Sequence, residues 1–179
     1  QPITEDALPR PINHYGNVKL CIENTIRTFN YQAHTKILIA RISNPYGPGQ
    51  DFNKGVGFID AAIKKTIRSE KIEIWGDGNN VRDYIYIDDV CRMLISLFNY
   101  QGKYDTFNIS SNTGTSQRDI IRMLEEMHLA PEVVYLPARS VDAKKIILNN
   151  ERIMSIHEVP LVPIVQGIEN YYQWFKKEI

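Results

Sequence analysis

Cysteine is scarce, with only Cys21 and Cys91 in 179 residues. That is too few for a disulfide framework, so the pair is expected to be two buried, reduced thiols of a cytoplasmic protein. Charge of one sign is missing too: 21 Lys and Arg balance 21 Asp and Glu. No basic field is therefore on offer to nucleic acid, and any bound anion must be met by a few placed arginines. No run reaches the ~18 apolar residues of a membrane span, and no signal peptide is visible, so no membrane partner is expected. His14, His34, His128 and His157 show no ligand spacing, and no metal is assigned. No Gly-x-Gly-x-x-Gly turn follows a strand anywhere. A dinucleotide site uses such a turn to bring a helix N-terminus onto the pyrophosphate, and this chain alone has no evident place for it. The chain begins at Gln1 with a dozen loop-like residues, and reads as the later part of something longer.

What is present alternates. Val18, Ile22, Ile26 and Phe29 share one stripe of a helix over about residues 15–31. Lys36-Ile-Leu-Ile-Ala-Arg-Ile-Ser43 is a continuous apolar run, as in a parallel strand covered on both faces. Asn44-Pro-Tyr-Gly-Pro-Gly-Gln50 reads as a loop. Ile59, Ile63 and Ile67 mark a second helix, residues 71–75 a strand, and Gly76 to Asn80 a turn. Residues 84–87 form a further strand, after which Asp88 is placed to cap a helix carrying Val90, Leu94 and Leu97. Thr106 to Ser110 reads as a strand, and Ser116 with Asp119 as a capping box for Ile120, Leu124 and Met127. Val133 to Leu136 is a short strand. A last helix begins near Pro163, where a missing N–H costs nothing. The alternation predicts an α/β fold.

Tyr15 and Lys19, four apart, share a helix face. A lysine ammonium beside a phenol favours the phenolate, and such a pair can take a proton from a sugar hydroxyl. Alone, Tyr-x-x-x-Lys is also an ordinary surface pair. It is followed here by Arg41-Ile-Ser-Asn-Pro-Tyr-Gly-Pro-Gly-Gln50 and by Ile74-Trp-Gly-Asp-Gly-Asn-Asn-Val-Arg-Asp-Tyr-Ile-Tyr-Ile-Asp-Asp-Val90. With these, the sequence resembles the extended short-chain dehydrogenase/reductases, the NAD-dependent epimerase/dehydratase family, nearest its UDP-glucose 4-epimerases. The likeness runs from Pro2 to about Phe175. Val18, Ser43 and Ile156-His157 depart from the family pattern without removing a group the chemistry needs.

The resemblance implies a fold and a set of roles. The fold would be the C-terminal part of a doubly wound, NAD-binding Rossmann domain plus a smaller substrate domain, with the N-terminal βαβ units absent. Residues 1–50 would belong to the first, and 51–179 mainly to the second. Tyr15 would be the catalytic base and Lys19 would also hold the nicotinamide ribose, with the Ile42 backbone beside the nicotinamide of NAD. Asn44 would meet the phosphates, and the backbone at Val56 and at Ile74 and Trp75 would frame the uracil. Arg82 and Arg139 would bind the pyrophosphate of a UDP-sugar, and Asp142 the ribose; Arg139 and Asp142 also fit a plain loop ion pair. The Tyr15 helix would pair across a two-fold axis in a homodimer, and Leu20 and Phe29 fit either that interface or the core. The implied reaction is 4-epimerisation of a UDP-hexose in the intact protein. The alternatives are a 4,6-dehydratase, a decarboxylase, a 4-keto reductase, or a fragment that binds a nucleotide without catalysis.

Overall fold

A computed structural model describes residues 2–50, 57–138 and 144–178. In chain order the elements are α1 (His14–Ala33), β1 (Ile39–Ile42), β2 (Asn44–Tyr46), α2 (Phe58–Ile67), β3 (Ile72–Trp75), β4 (Val81–Tyr86) and α3 (Ile87–Leu97). They continue with β5 (Thr106–Ile109), β6 (Gly114–Ser116), α4 (Gln117–Glu126), β7 (Val133–Leu136), β8 (Lys145–Ile146), α5 (Glu151–Met154) and α6 (Ile164–Glu178). The predicted α/β alternation is present. Among the described residues no helix is long and apolar enough to cross a membrane, and no cluster of three or more His, Cys, Asp or Glu could hold a metal.

Among the described residues, three strand groups form. β1 lies parallel to β5, Ile39 opposite Thr106 and Ile42 opposite Ile109. β2 lies parallel to β4, which also carries antiparallel β6 and parallel β8. β3 lies parallel to β7. The larger core cluster joins α2, α4 and α6 to β3 and β4 through Ile63, Ile74, Leu124, Tyr171 and Phe175. The smaller one packs Val90 and Met93 of α3 on Phe107 and Ile109 of β5. Ser116 and Asp119 form the predicted capping box of α4.

Four local expectations are corrected. Residues 44–46, expected as loop, pair with β4: Pro45 can stand in this short strand because its neighbours carry the ladder. Asp88 does not cap α3; Tyr86 takes the cap position without a side-chain bond. The acid that matters is Asp89, buried, whose carboxylate pairs with Arg92 and accepts the Val162 N–H at 2.9 Å. Cys21 and Cys91 are free, as expected, but exposed rather than buried. The β1 run is not covered on both faces among the described residues: Ile42 is 42% exposed, and α1 buries no residue at all.

Asp83 is fully buried at the junction of these groups. One carboxylate oxygen accepts from the Ser111 N–H at 2.8 Å, the Ser111 hydroxyl at 2.8 Å and the Ser43 hydroxyl at 3.3 Å. The other accepts from the Leu148 N–H at 3.2 Å. Burial pushes this carboxyl up and the Ser111, Leu148 and Ser43 bonds draw it down. Asp83→Ala would leave buried N–H groups unpaired, and is expected to cost about 3 kcal/mol or more. Ser116→Ala, which removes one cap, should cost about 1 kcal/mol. Thermal melts followed by circular dichroism would show the two drops, and an Asp83 variant no less stable than the Ser116 variant would contradict this account.

Candidate functional site

Asn13 begins α1: its side chain accepts the Gly16 N–H at 2.9 Å, which sets Tyr15 in the first turn. Tyr15, Lys19, Ile22, Glu23 and Ile26 then face Leu38 to Ile42 across a cavity of about 550 Å³. The Lys19 ammonium stands 5.2 Å from the centre of the Tyr15 ring, and Tyr15 is 72% exposed. Among the described residues, the far edge of β1 pairs with no strand.

With no buried residue, α1 is held by polar contacts: Asn30 donates to the Ile37 carbonyl at 2.9 Å and accepts the Ile37 N–H at 2.8 Å, and a charged group lies further up the helix. Arg41 of β1 grips Glu23 with two parallel bonds, Nε to Oε1 at 2.8 Å and Nη2 to Oε2 at 2.7 Å. Its third nitrogen donates to the Glu5 carbonyl at 3.1 Å. Arg27, one turn further, also donates to Glu23 at 3.0 Å. The bond from Arg41 holds the Glu23 carboxyl below its ordinary range. Bidentate, part-buried pairs of this kind fix direction as well as distance, and this one joins α1, β1 and the N-terminal segment.

A second cavity, of about 230 Å³, begins two residues beyond Ile42. Asn44, Pro45, Tyr46, Gln50, Gly57, Phe58, Ile59, Asp60, Asn80, Arg82, Tyr84 and Gln117 line it. Asn44 is fixed by donating to the Asp83 carbonyl at 2.9 Å. Arg82 follows Asn44 into this wall because β2 and β4 lie in register, Asn44 beside Tyr84.

The structure therefore gathers Tyr15, Lys19 and Ile42 at one cavity, and Asn44 and Arg82 at the next. Ile74 is fully buried in the core, so only its backbone is available to a ligand, and Trp75 is half-buried. Val56, Arg139 and Asp142 lie outside the described residues. Sequence reasoning passed over Asp60, Tyr84 and Gln117. Asp60 stands in the first turn of α2 and takes the Tyr171 hydroxyl on one oxygen; its other oxygen, and the Gln117 side-chain oxygen, are buried without a partner. The available signals were an acid beside Ile59 in an apolar stripe, and the two-residue repeat that puts Tyr84 on the Arg82 face.

The comparisons match this geometry. A model described as the NAD dependent epimerase/dehydratase family matches residues 1–110. The chain belongs to that family. It is 28% identical to a putative UDP-glucose 4-epimerase of Methanocaldococcus jannaschii over 98% of this chain and 57% of that protein. It is 30% identical to a dTDP-4-dehydro-6-deoxy-D-allose reductase of Streptomyces bikiniensis over 92% of this chain and 51% of that one. Among solved structures, UDP-glucose 4-epimerase with UDP-glucose from Thermotoga maritima superimposes with a TM-score of 0.92 at 31% identity, covering 99% of this chain and 58% of the other. UDP-glucuronic acid 4-epimerase from Bacillus cereus, in complex with UDP-glucuronic acid and NAD, gives 0.90 at 26% identity, covering 100% and 57%. The fold is thus that of Rossmann-type epimerase/dehydratase proteins. The chain spans about half the length of the curated relatives it matches.

Asp60 gives a pH test of this wall. Burial holds its carboxyl above the ordinary 3.8, against the Tyr171 bond and Lys64. A carboxyl held up in the folded state stabilises while protonated, and that contribution is lost as pH rises through the raised value. Melts from pH 4 upward should show the wild type losing stability that Asp60→Asn, which cannot ionise, retains. Parallel pH profiles for the two proteins would show that Asp60 does not titrate with folding.

Proposed function

We propose that this chain is the nucleotide-sugar half of an NAD-dependent 4-epimerase of the UDP-glucose/UDP-galactose type. One observation carries the reading: a single short run of backbone, Ile42 to Asn44, joins the cavity of Tyr15 and Lys19 to the cavity of Arg82. A nucleotide-sugar needs those two chemistries side by side, proton transfer at the sugar and charge neutralisation at the diphosphate. Residues 1–50 are assigned to the Rossmann domain and 51–179 mainly to the sugar-nucleotide domain. The preceding βαβ units and most of the cofactor site are assigned to residues outside this chain. The free edge of β1 and the greater length of the relatives support that division.

Tyr15 is the base that takes the proton of the sugar 4-hydroxyl and later returns it. Lys19 stands beside it on the same helix face, its ammonium 5.2 Å from the ring centre. The open cavity beside Tyr15, Lys19 and Ile42 would hold the nicotinamide and ribose end of NAD, with Lys19 as donor to the ribose hydroxyls and the Ile42 backbone beside the ring. NAD, when bound, supplies the acceptor that takes and gives back the hydride. Arg82 and Arg139 neutralise the pyrophosphate, since guanidinium gives charge-assisted, bidentate bonds to phosphate. Asn44 meets a phosphate, Asp142 accepts from the ribose hydroxyls, and the backbone of Val56, Ile74 and Trp75 frames the uracil. The exposed Val18 and Phe29 on a helix with nothing buried suit pairing of α1 with a second copy. The family also includes 4-keto reductases, and the similarity to the Streptomyces reductase makes that the second reading.

Calorimetric titration of UDP into the folded chain is expected to saturate, with Arg82→Ala and Arg139→Ala each weakening it about tenfold or more. A folded chain that binds no UDP would remove the nucleotide assignment. In the intact protein, Tyr15→Phe should lower turnover roughly 10²- to 10⁴-fold; near-full activity would rule Tyr15 out as the base. Product analysis that finds C4 reduction instead of inversion would favour the reductase.

A further inference from the structure

Side chains alternate along β4. Asp83 points to one face, and Arg82, Tyr84 and Tyr86 to the other, the face where Tyr46 of β2 packs edge-on against Tyr86 at 5.7 Å. Tyr84 is 8% exposed and belongs to the walls of two adjoining cavities, the one that holds Asn44 and Arg82 and another, of about 270 Å³, beneath Leu161 to Ile164. No described residue pairs with the Tyr84 hydroxyl, and that oxygen is not among the sealed, unpaired polar atoms of the fold. It therefore opens toward cavity space. Burial pushes the phenol up to about 12, against the pull of Arg82, so the group stays neutral and keeps its proton across the physiological range.

We propose that Tyr84 is a ligand-binding residue, its hydroxyl donating to the diphosphate held at Asn44 and Arg82. The proposal rests on the nucleotide-sugar reading of that cavity. The polarity of the walls argues for it. Donors gather on the β2 and β4 side, where Arg82 and Tyr84 are two residues apart on one face. The unpaired acceptors, Asp60 Oδ2 and Gln117 Oε1, belong to α2 and α4. An anion belongs against the donors, and a neutral O–H beside a guanidinium adds a bond without adding charge. The motif reading assigned the phosphates to arginines and Asn44 alone.

The test is Tyr84→Phe, which keeps the ring and removes one oxygen. UDP is titrated into wild-type and variant chains at several salt concentrations, with circular dichroism melts as the folding control. The variant is expected to bind UDP about tenfold more weakly, the effect of one hydrogen bond to a charged group. Its affinity should fall with salt in parallel with the wild type, because no charge was removed. A change of less than twofold overturns the proposal. So does a weakened affinity with a flatter salt dependence, which would mean that the substitution displaced Arg82. If the folded wild type binds no UDP, the nucleotide reading falls and takes this assignment with it; if the wild type binds and the variant binds equally, only the Tyr84 assignment falls.

Discussion

The buried carboxylate of Asp83 is the constraint on which the arrangement of strands depends. A sealed carboxyl is tolerable only where donors surround it, and here the donors come from three separate stretches of chain. Ser43 lies between β1 and β2, Ser111 follows β5, and Leu148 follows β8. Satisfying one side chain therefore ties the β1–β5 pair to the sheet of β2, β4, β6 and β8. Because β4 alternates, pointing Asp83 inward also aims its neighbours Arg82 and Tyr84 at the opposite face. The interaction that closes the fold thus builds a wall of the candidate site.

The other half of the site is anchored differently. α1 contributes nothing to either core, so its direction rests on polar contacts: the Glu23–Arg41 grip, the further bonds of Arg41 and Arg27, and the two bonds between Asn30 and Ile37. Glu23 lies four residues beyond Lys19 and eight beyond Tyr15, on the same helix face. Arg41 immediately precedes Ile42. A rigid fork at that point holds the Tyr15 face over the end of β1 without covering it, leaving an open cavity where a packed helix would leave none.

Much of this could be read in the sequence. The continuous apolar run from Lys36 to Ser43 announced a parallel strand, and the Ser116 and Asp119 spacing announced the cap of α4. The Tyr15 and Lys19 spacing announced the shared helix face. What could not be read depends on contacts between distant residues. Proline and glycines hid the pairing of Asn44-Pro-Tyr with β4, because a short strand held by its neighbour's ladder needs no propensity of its own. Asp88 looked like the cap, and its neighbour Asp89 proved to be the structural acid because its partner, Val162, is remote in sequence. Cys21 and Cys91 looked buried because helical patterns were taken to lie against a core; both stand on exposed faces. The unpaired oxygens of Asp60 and Gln117 are visible only once the cavity has closed around them.

The two cavities are not independent. Ile42 and Asn44, with Ser43 between them, are two steps of extended chain apart, roughly 7 Å, a span comparable to one hexose. In the proposed assignment that span sets the reaction. A diphosphate fixed at Asn44 and Arg82 would leave the hexose to reach toward Tyr15. The phosphate contacts then act on turnover as well as on affinity, since they locate the reacting carbon. Losing a phosphate donor on β4 would misplace the sugar C4 relative to a Tyr15 held separately by the Glu23–Arg41 grip. In that assignment the Asp83 knot would link the anchoring end of the ligand to its reacting end.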